Sequence, residues 1–189
     1  MSSVKADAGM PPILLGMTLF VASEVMFFGG LFAAYFLLRG TNSPWPPEGS
    51  IEASTLLPAL LTVLLVTSSA TVHRAVAAAR SGRAATASRW LGATIGLGLV
   101  FLAGQAYEYS ELASDGFTVS TDTFTSAFFT LTGFHGLHVA AGLAMLATVW
   151  RRLGRYTSRR SGPIEAAGYY WHFVDAIWLL VFATLYVLR

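Results

Sequence analysis

Residues 13–38 read ILLGMTLFVASEVMFFGGLFAAYFLL, an apolar run interrupted by a single ionisable side chain, Glu24. A helix rises about 1.5 Å per residue and the hydrocarbon core of a bilayer is about 30 Å thick, so about 20 mostly apolar residues suffice to cross it. This run is long enough. Four more of the same kind follow at 54–80, 90–112, 123–150 and 164–188, and little of the 189-residue chain remains between them. The reading is an all-α membrane protein: a five-helix transmembrane bundle forming one membrane domain over residues 1–189.

Composition points the same way. Hydrophobic residues make up 54% of the chain and charged residues 12%, against roughly 25% charged in an ordinary soluble domain; the mean hydropathy is +0.59. There is no cysteine, which excludes disulfide staples, thiolate metal sites, iron–sulfur ligation and a cysteine nucleophile together. No internal repeat or low-complexity tract is visible. Neither is a Walker loop, a dinucleotide fingerprint, an activated-serine motif or the broken-helix repeat of a transporter. The net charge is +2, and eleven of the twelve cations are arginines set between the apolar runs. Such placement signals topology and not a nucleic-acid footprint.

The connections alternate in sign. The first, Gly40-Thr41-Asn42-Ser43-Pro44-Trp45-Pro46-Pro47-Glu48-Gly49, cannot continue a helix, and its tryptophan suits a membrane interface. The second carries Arg80, Arg83 and Arg89, the third Asp115 and Asp122, and the fourth Arg151, Arg152, Arg155, Arg159 and Arg160. With Lys5 and Arg74 this places ten cations on one side, against Arg39 and Arg189 on the other. The positive-inside rule then predicts a cytoplasmic N-terminus and a C-terminus outside. The first run lacks the basic flank and short apolar core of a cleavable signal, so it is expected to stay as an anchor.

A charged side chain at the centre of a membrane helix costs about 2.5 to 3.5 kcal/mol on insertion scales, so each buried ionisable group calls for a partner, a cavity or protonation. Glu24 is one such group, open to a hydrogen bond with a neighbouring helix or to a lipid, proton or oxygen-pathway role. In the fourth run, His135 and His138 stand three residues apart, a spacing that fits a shared metal or helix packing alike. In the last run, Gly168, His172 and Asp175 share one face, so His172 can reach Asp175 as a hydrogen-bonded pair or a proton relay. In the third, Gln105 and Glu108 read as structural polar groups. Counted from the inner end of each run, Glu24 and Asp175 lie about 16 Å deep, His138 about 18 Å, Gln105 and His135 about 22 Å, His172 about 12 Å and Glu108 about 27 Å. Gly92 with Gly96, and Gly16, Ser23 and Gly30 at heptad spacing, are candidate packing seams. His73 and Arg74 suit a solvated or headgroup face. Four histidines are few for a haem or copper centre, and the chain by itself reads as noncatalytic, with no catalytic residue and no metal ligand.

The carrying segments are Ser23-Glu24-Val25-Met26-Phe27-Phe28, Gly104-Gln105-Ala106-Tyr107-Glu108-Tyr109, Thr132-Gly133-Phe134-His135-Gly136-Leu137-His138-Val139 and Tyr170-Trp171-His172-Phe173-Val174-Asp175. In these four ordered motifs the sequence closely resembles subunit III of haem-copper cytochrome c oxidases, over nearly the whole chain. It looks like the five-span bacterial form, which lacks the first two spans of the longer members. Lipid contacts made by those two helices do not transfer, and another subunit is expected to complete the cleft. The resemblance implies an accessory subunit of a proton-pumping aa3-type oxidase in a bacterial plasma membrane, docked on catalytic subunit I and subunit II, with a larger respiratory supercomplex possible. Haems and copper would belong to those partners and none to this chain. It further implies that Glu24 is a buried, carbodiimide-reactive carboxylate beside bound phospholipid and the oxygen route, and that His138 lies in the same lipid cleft. Arg152 is the phosphate partner it suggests, since guanidinium binds phosphate bidentately. The competing readings are subunit III of a quinol oxidase, the subunit III-like protein of nitric oxide reductase systems, and a membrane metalloenzyme built on His135, His138, His172, Asp175 and Glu24.

Overall fold

Residues 11–51, 54–153 and 161–188 are described in a computed structural model. Among them are five helices: α1 (Pro12–Thr41), α2 (Leu56–Arg80), α3 (Ala84–Ser114), α4 (Thr123–Arg151) and α5 (Gly162–Phe182), the last extended by a π-helical turn at Ala183–Val187. Each is long and apolar enough to cross a membrane. Arg155, Arg159 and Arg160 of the fourth connection lie outside the described residues, as do Lys5 and Arg189.

The helix limits follow from local chemistry. Pro12 opens α1, where a proline's missing N–H costs nothing. Asn42 closes it: backbone N–H and side-chain Nδ2 both donate to the carbonyl of Leu38, at 3.1 and 2.7 Å. Between α2 and α3 the chain reverses at Gly82, whose φ of +71° is the left-handed conformation that favours glycine. The third helix starts at Ala84, ahead of the apolar run expected from residue 90. Ala84, Ala85 and Ala87 are strong helix formers, so the helix extends past the stretch that hydropathy marks. Asp122 caps α4 by accepting from the backbone N–H of Thr125 at 2.9 Å.

The central element is α5, mostly buried inside the bundle; α1, largely exposed, is the edge. Helices α2 and α3 form an antiparallel pair against which α5 packs, α4 closes on α3 and α5, and α1 leans mainly on α5. Lipid gives little hydrophobic drive for helix association, so close packing and interhelical hydrogen bonds carry it. Trp171, fully buried, illustrates both: its indole N–H donates to Ser68 Oγ at 2.8 Å, and its ring fills a notch left by two missing side chains. A Cβ on Gly98 would lie 2.7 Å from the ring and one on Gly142 would lie 3.0 Å from it. Trp178 donates to Thr62 Oγ1 at 2.9 Å, and Tyr35 donates to the carbonyl of Thr184 at 3.3 Å.

The glycine seams expected from spacing fall elsewhere. A Cβ added to Gly16, Gly30 or Gly96 would have nothing within 4 Å, and one on Gly92 would meet only Trp150, at 3.9 Å. Close approaches occur instead at Gly98, Gly142, Gly136 and Gly104, the last placing a Cβ 2.6 Å from Leu61. Repeat spacing identifies a helix face, whereas which face meets a neighbour is set by the bundle.

Candidate functional site

Glu24 and His138 meet. Halfway along α1 the carboxylate Oε2 lies 2.9 Å from His138 Nε2 on α4. The other ring nitrogen, Nδ1, is 2.7 Å from the carbonyl of Phe134 one turn earlier. A carbonyl only accepts, so this contact assigns the hydrogen to Nδ1. Nε2 and Glu24 then share one proton between them, either as carboxylic acid with imidazole or as carboxylate with imidazolium. In both forms the pair is neutral as a whole. That solves the problem of an isolated mid-membrane carboxylate without any external charge.

Aromatic rings fix the imidazole. Phe27 stacks along it at 6.0 Å between centroids, Phe28 meets it edge-on at 4.9 Å, and Phe134 packs on Phe27 at 5.1 Å. Tyr170 of α5 donates its hydroxyl to the carbonyl of His138 at 3.2 Å. The pair stays partly open, with side-chain exposures of 16% for His138 and 19% for Glu24. Two turns farther along α1, at Leu31, and two turns back along α4, at Leu131, begins a mainly apolar groove of about 160 Å³ between the two helices, reaching Leu38 at the Arg39 end.

Arg152 is not part of this arrangement. It sits exposed at the end of α4, fourteen residues or about 21 Å along the axis from His138. His135 also points elsewhere. It is fully buried, edge-on to Phe101 at 5.7 Å and tilted over Trp178 at 5.0 Å, and neither ring nitrogen bonds to a described protein atom. Three residues on a helix set two side chains about 60° apart around the axis, and here that offset separates the core, which His135 enters, from the α1 contact of His138.

His172 and Asp175 do not bond each other directly. Both bond Ser69 of α2: the hydroxyl donates to Asp175 Oδ2 and lies 3.0 Å from His172 Nδ1. Gln105 donates to the carbonyl of Thr132 at 3.0 Å, while Tyr109 and Thr132 bond through their hydroxyls at 2.6 Å. Glu108 accepts from Tyr186 through both carboxylate oxygens at 3.1 Å. Ser69 and Tyr186 lie outside the four motifs quoted above, and Thr132 stands in one of them only as its first residue. The available signal was paired or flanking hydroxyls inside apolar runs, and it does not name the partner. Among the described residues no group of three or more histidine, aspartate or glutamate side chains is placed to hold a metal ion. The five residues of the metalloenzyme reading are divided among the α1–α4 contact, the core and the α2–α5 contact.

The bundle therefore defines a multi-pass helical membrane subunit whose buried polar groups are engaged chiefly with one another. The family model described as cytochrome c oxidase subunit III matches residues 4–189. Cytochrome c oxidase subunit 3 of Thermostichus vulcanus is 42% identical over 178 residues, covering 93% of this chain and 87% of the relative. The protein of the same name from Synechocystis is 42% identical, covering 93% and 75%. A probable cytochrome c oxidase subunit 3 from Nocardia farcinica is 39% identical over 180 residues, covering 94% and 88%. The chain belongs to the cytochrome c oxidase subunit III family. It is a multi-pass protein of a bacterial membrane and an accessory subunit of the oxidase complex.

Proposed function

We propose that the chain holds phospholipid against catalytic subunit I of a proton-pumping aa3-type cytochrome c oxidase, with subunit II in the same complex, and carries no haem or copper itself. The observations that support this reading are the Glu24–His138 pair, part-open at mid-bundle, and the mainly apolar groove that begins two turns away between the same two helices. An acyl chain fits such a groove because its walls are mainly apolar, with Leu31, Ala34, Leu38, Ala127 and Leu131 among them. Lipid held there stiffens the neighbouring subunit and keeps proton uptake fast enough to avoid inactivation during turnover. Arg152, at the opposite end of α4 from the groove, is assigned to headgroup phosphate at the basic surface and acts separately from the pair. By the positive-inside rule that surface is cytoplasmic.

The test is Glu24→Gln in the assembled oxidase, with bound lipid measured by mass spectrometry and activity followed to exhaustion. The expected result is intact assembly with less retained lipid or a shorter active lifetime. Unchanged lipid and lifetime reject the role. An absorption spectrum of the copurified complex checks the oxidase type: haem a supports the aa3 assignment, and its absence turns the reading to the quinol oxidase or nitric oxide reductase branch.

A further inference from the structure

We propose that the surface shared by α2 and α5 around His172 is a protein–protein interface inside the membrane, covered by a transmembrane helix of another oxidase subunit that sets a hydrogen-bonding side chain against the imidazole. This rests on the chain being an oxidase subunit; what it adds is which face docks and through which group.

The starting observation is a polar cluster on the outside of the bundle. His172 and His73 are both exposed, Ser69 is half-buried, and Asp175 behind them is 6% exposed with its Oδ1 unbonded to any described group. Ser69 joins the carboxylate of Asp175 to Nδ1 of His172, and His73 stands one turn from Ser69 on the same helix. Measured from helix midpoints, His172 lies within about 4 Å of the centre of its span and His73 within about 8 Å. Both are inside a hydrocarbon core whose half-thickness is about 15 Å.

Lipid does not satisfy such groups. Exposed hydroxyls at Thr18, Ser23 and Thr67 each donate back to a carbonyl of their own helix, at 2.9, 2.6 and 2.7 Å, and so present no unmet polarity to acyl chains. His172 has no equivalent. Its hydrogen-bond partner among the described residues is Ser69, bonded to Nδ1, which leaves Nε2 for a neighbour. Ionisable residues in membrane helices almost always face protein or a water-filled cavity, and the face at His172 is neither within this chain. A helix of another subunit supplies the missing side chain while keeping the surroundings apolar.

The shape agrees. Val66, His73 and Ala77 form an exposed stripe on α2, and His172, Ala176 and Leu179 form one on α5. The Ser69–His172 bond brings the two stripes together as one surface. Alanines beside the imidazoles allow a helix backbone to approach closely, which is how membrane helices associate. Val100 on α3, also exposed, lies in an apolar setting with Leu99 and offers no comparable group.

The experiment uses the whole oxidase, isolated from membranes through a tag on this chain, with the photoreactive residue benzoylphenylalanine placed at Ala176. A second variant carries it at Leu179, a larger side chain on the same stripe, so that a docking defect at Ala176 does not decide the matter. A third carries it at Val100 for comparison. The expected result is a covalent adduct from Ala176 or Leu179 to another subunit of the copurified oxidase, in higher yield than from Val100. Adducts to lipid alone, or to a second copy of this chain, overturn the interface while leaving the oxidase assignment standing. Failure to copurify with any haem-bearing subunit overturns both. In parallel, His172→Phe is expected to speed loss of the chain from the complex during detergent washing by about five- to tenfold, the scale of one interhelical hydrogen bond, and His172→Gln to restore retention. Equal retention of all three proteins overturns the role of the imidazole.

Discussion

His138 Nε2 lies 2.9 Å from Glu24 Oε2 while the Nδ1 of the same ring bonds the carbonyl of Phe134. The second contact gives the first its meaning. With Nδ1 committed as a donor, one proton serves both members of the pair, and the contact bridges α1 and α4 with no net charge.

Glutamine at position 24 retains a donor for Nε2 but removes the exchangeable proton. Glu24→Gln is therefore expected to unfold within about 1 kcal/mol of the parent, whereas Glu24→Leu leaves Nε2 unpaired and costs about 1 to 3 kcal/mol. A double-mutant cycle with His138→Leu, followed by detergent-induced unfolding, is expected to give a coupling of about 0.5 to 2 kcal/mol. Strict additivity of the two single changes would show that the pair is not coupled.

The two histidines of the fourth helix respond differently to the same change. His135 is enclosed by Phe101 and Trp178, so His135→Phe keeps an aromatic body between two aromatic neighbours and is expected to cost less than about 1.5 kcal/mol. His138→Phe breaks the bond to Glu24 and is expected to cost more, with loss of the α1–α4 contact seen as faster proteolysis of α1. The reverse ranking in thermal unfolding contradicts the division of roles.

Glycine substitutions separate real seams from apparent ones. Gly98→Ala places a methyl 2.7 Å from Trp171 and 2.8 Å from Leu143, and the rigid indole cannot swing aside as a lysine end would. A loss of about 1 to 3 kcal/mol is expected. Gly96→Ala meets nothing within 4 Å and is expected to be neutral or to stabilise by up to about 1 kcal/mol through helix propensity. Unfolding midpoints of the two variants in one detergent test both.

Asp122 links stability to pH at the N-terminal end of α4. Burial pushes its carboxyl upward, but hydrogen bonds from the Thr125 hydroxyl and backbone N–H outweigh this and hold the group below its ordinary 3.8. A lowered folded-state value means that the ionised cap contributes fully above the unfolded value and is lost as pH falls through the folded one. Asp122→Ala is expected to cost about 1 kcal/mol near neutral pH, with the difference from the parent shrinking only as the medium is acidified below 3.8. A difference that grows on acidification contradicts the cap.

Much of the site was legible in part. Depth along each run put Glu24 and His138 at nearly one level, and the two do touch. The same arithmetic put Asp175 level with them, yet Asp175 faces α2 and meets Ser69. Rise per residue fixes height, but it leaves open the direction in which a side chain points across the bundle. The direct His172–Asp175 bond was expected from a shared helix face, and the structure interposes Ser69 because a hydroxyl from the facing helix reaches both groups. Arg152 was named from family likeness and lies about 21 Å along the axis from the pair.

Sequence alone determined the number of spanning helices and the buried polar groups that each carries, because a bilayer fixes the length of an apolar run and penalises every unpartnered charge within it. Tertiary structure decided the partners: Glu24 with His138, Asp175 and His172 with Ser69, Glu108 with Tyr186. Partner choice depends on the rotation and neighbours of each helix. Those are set by where large rings such as Trp171 find room beside Gly98 and Gly142, a packing solution of the whole bundle that no single run encodes.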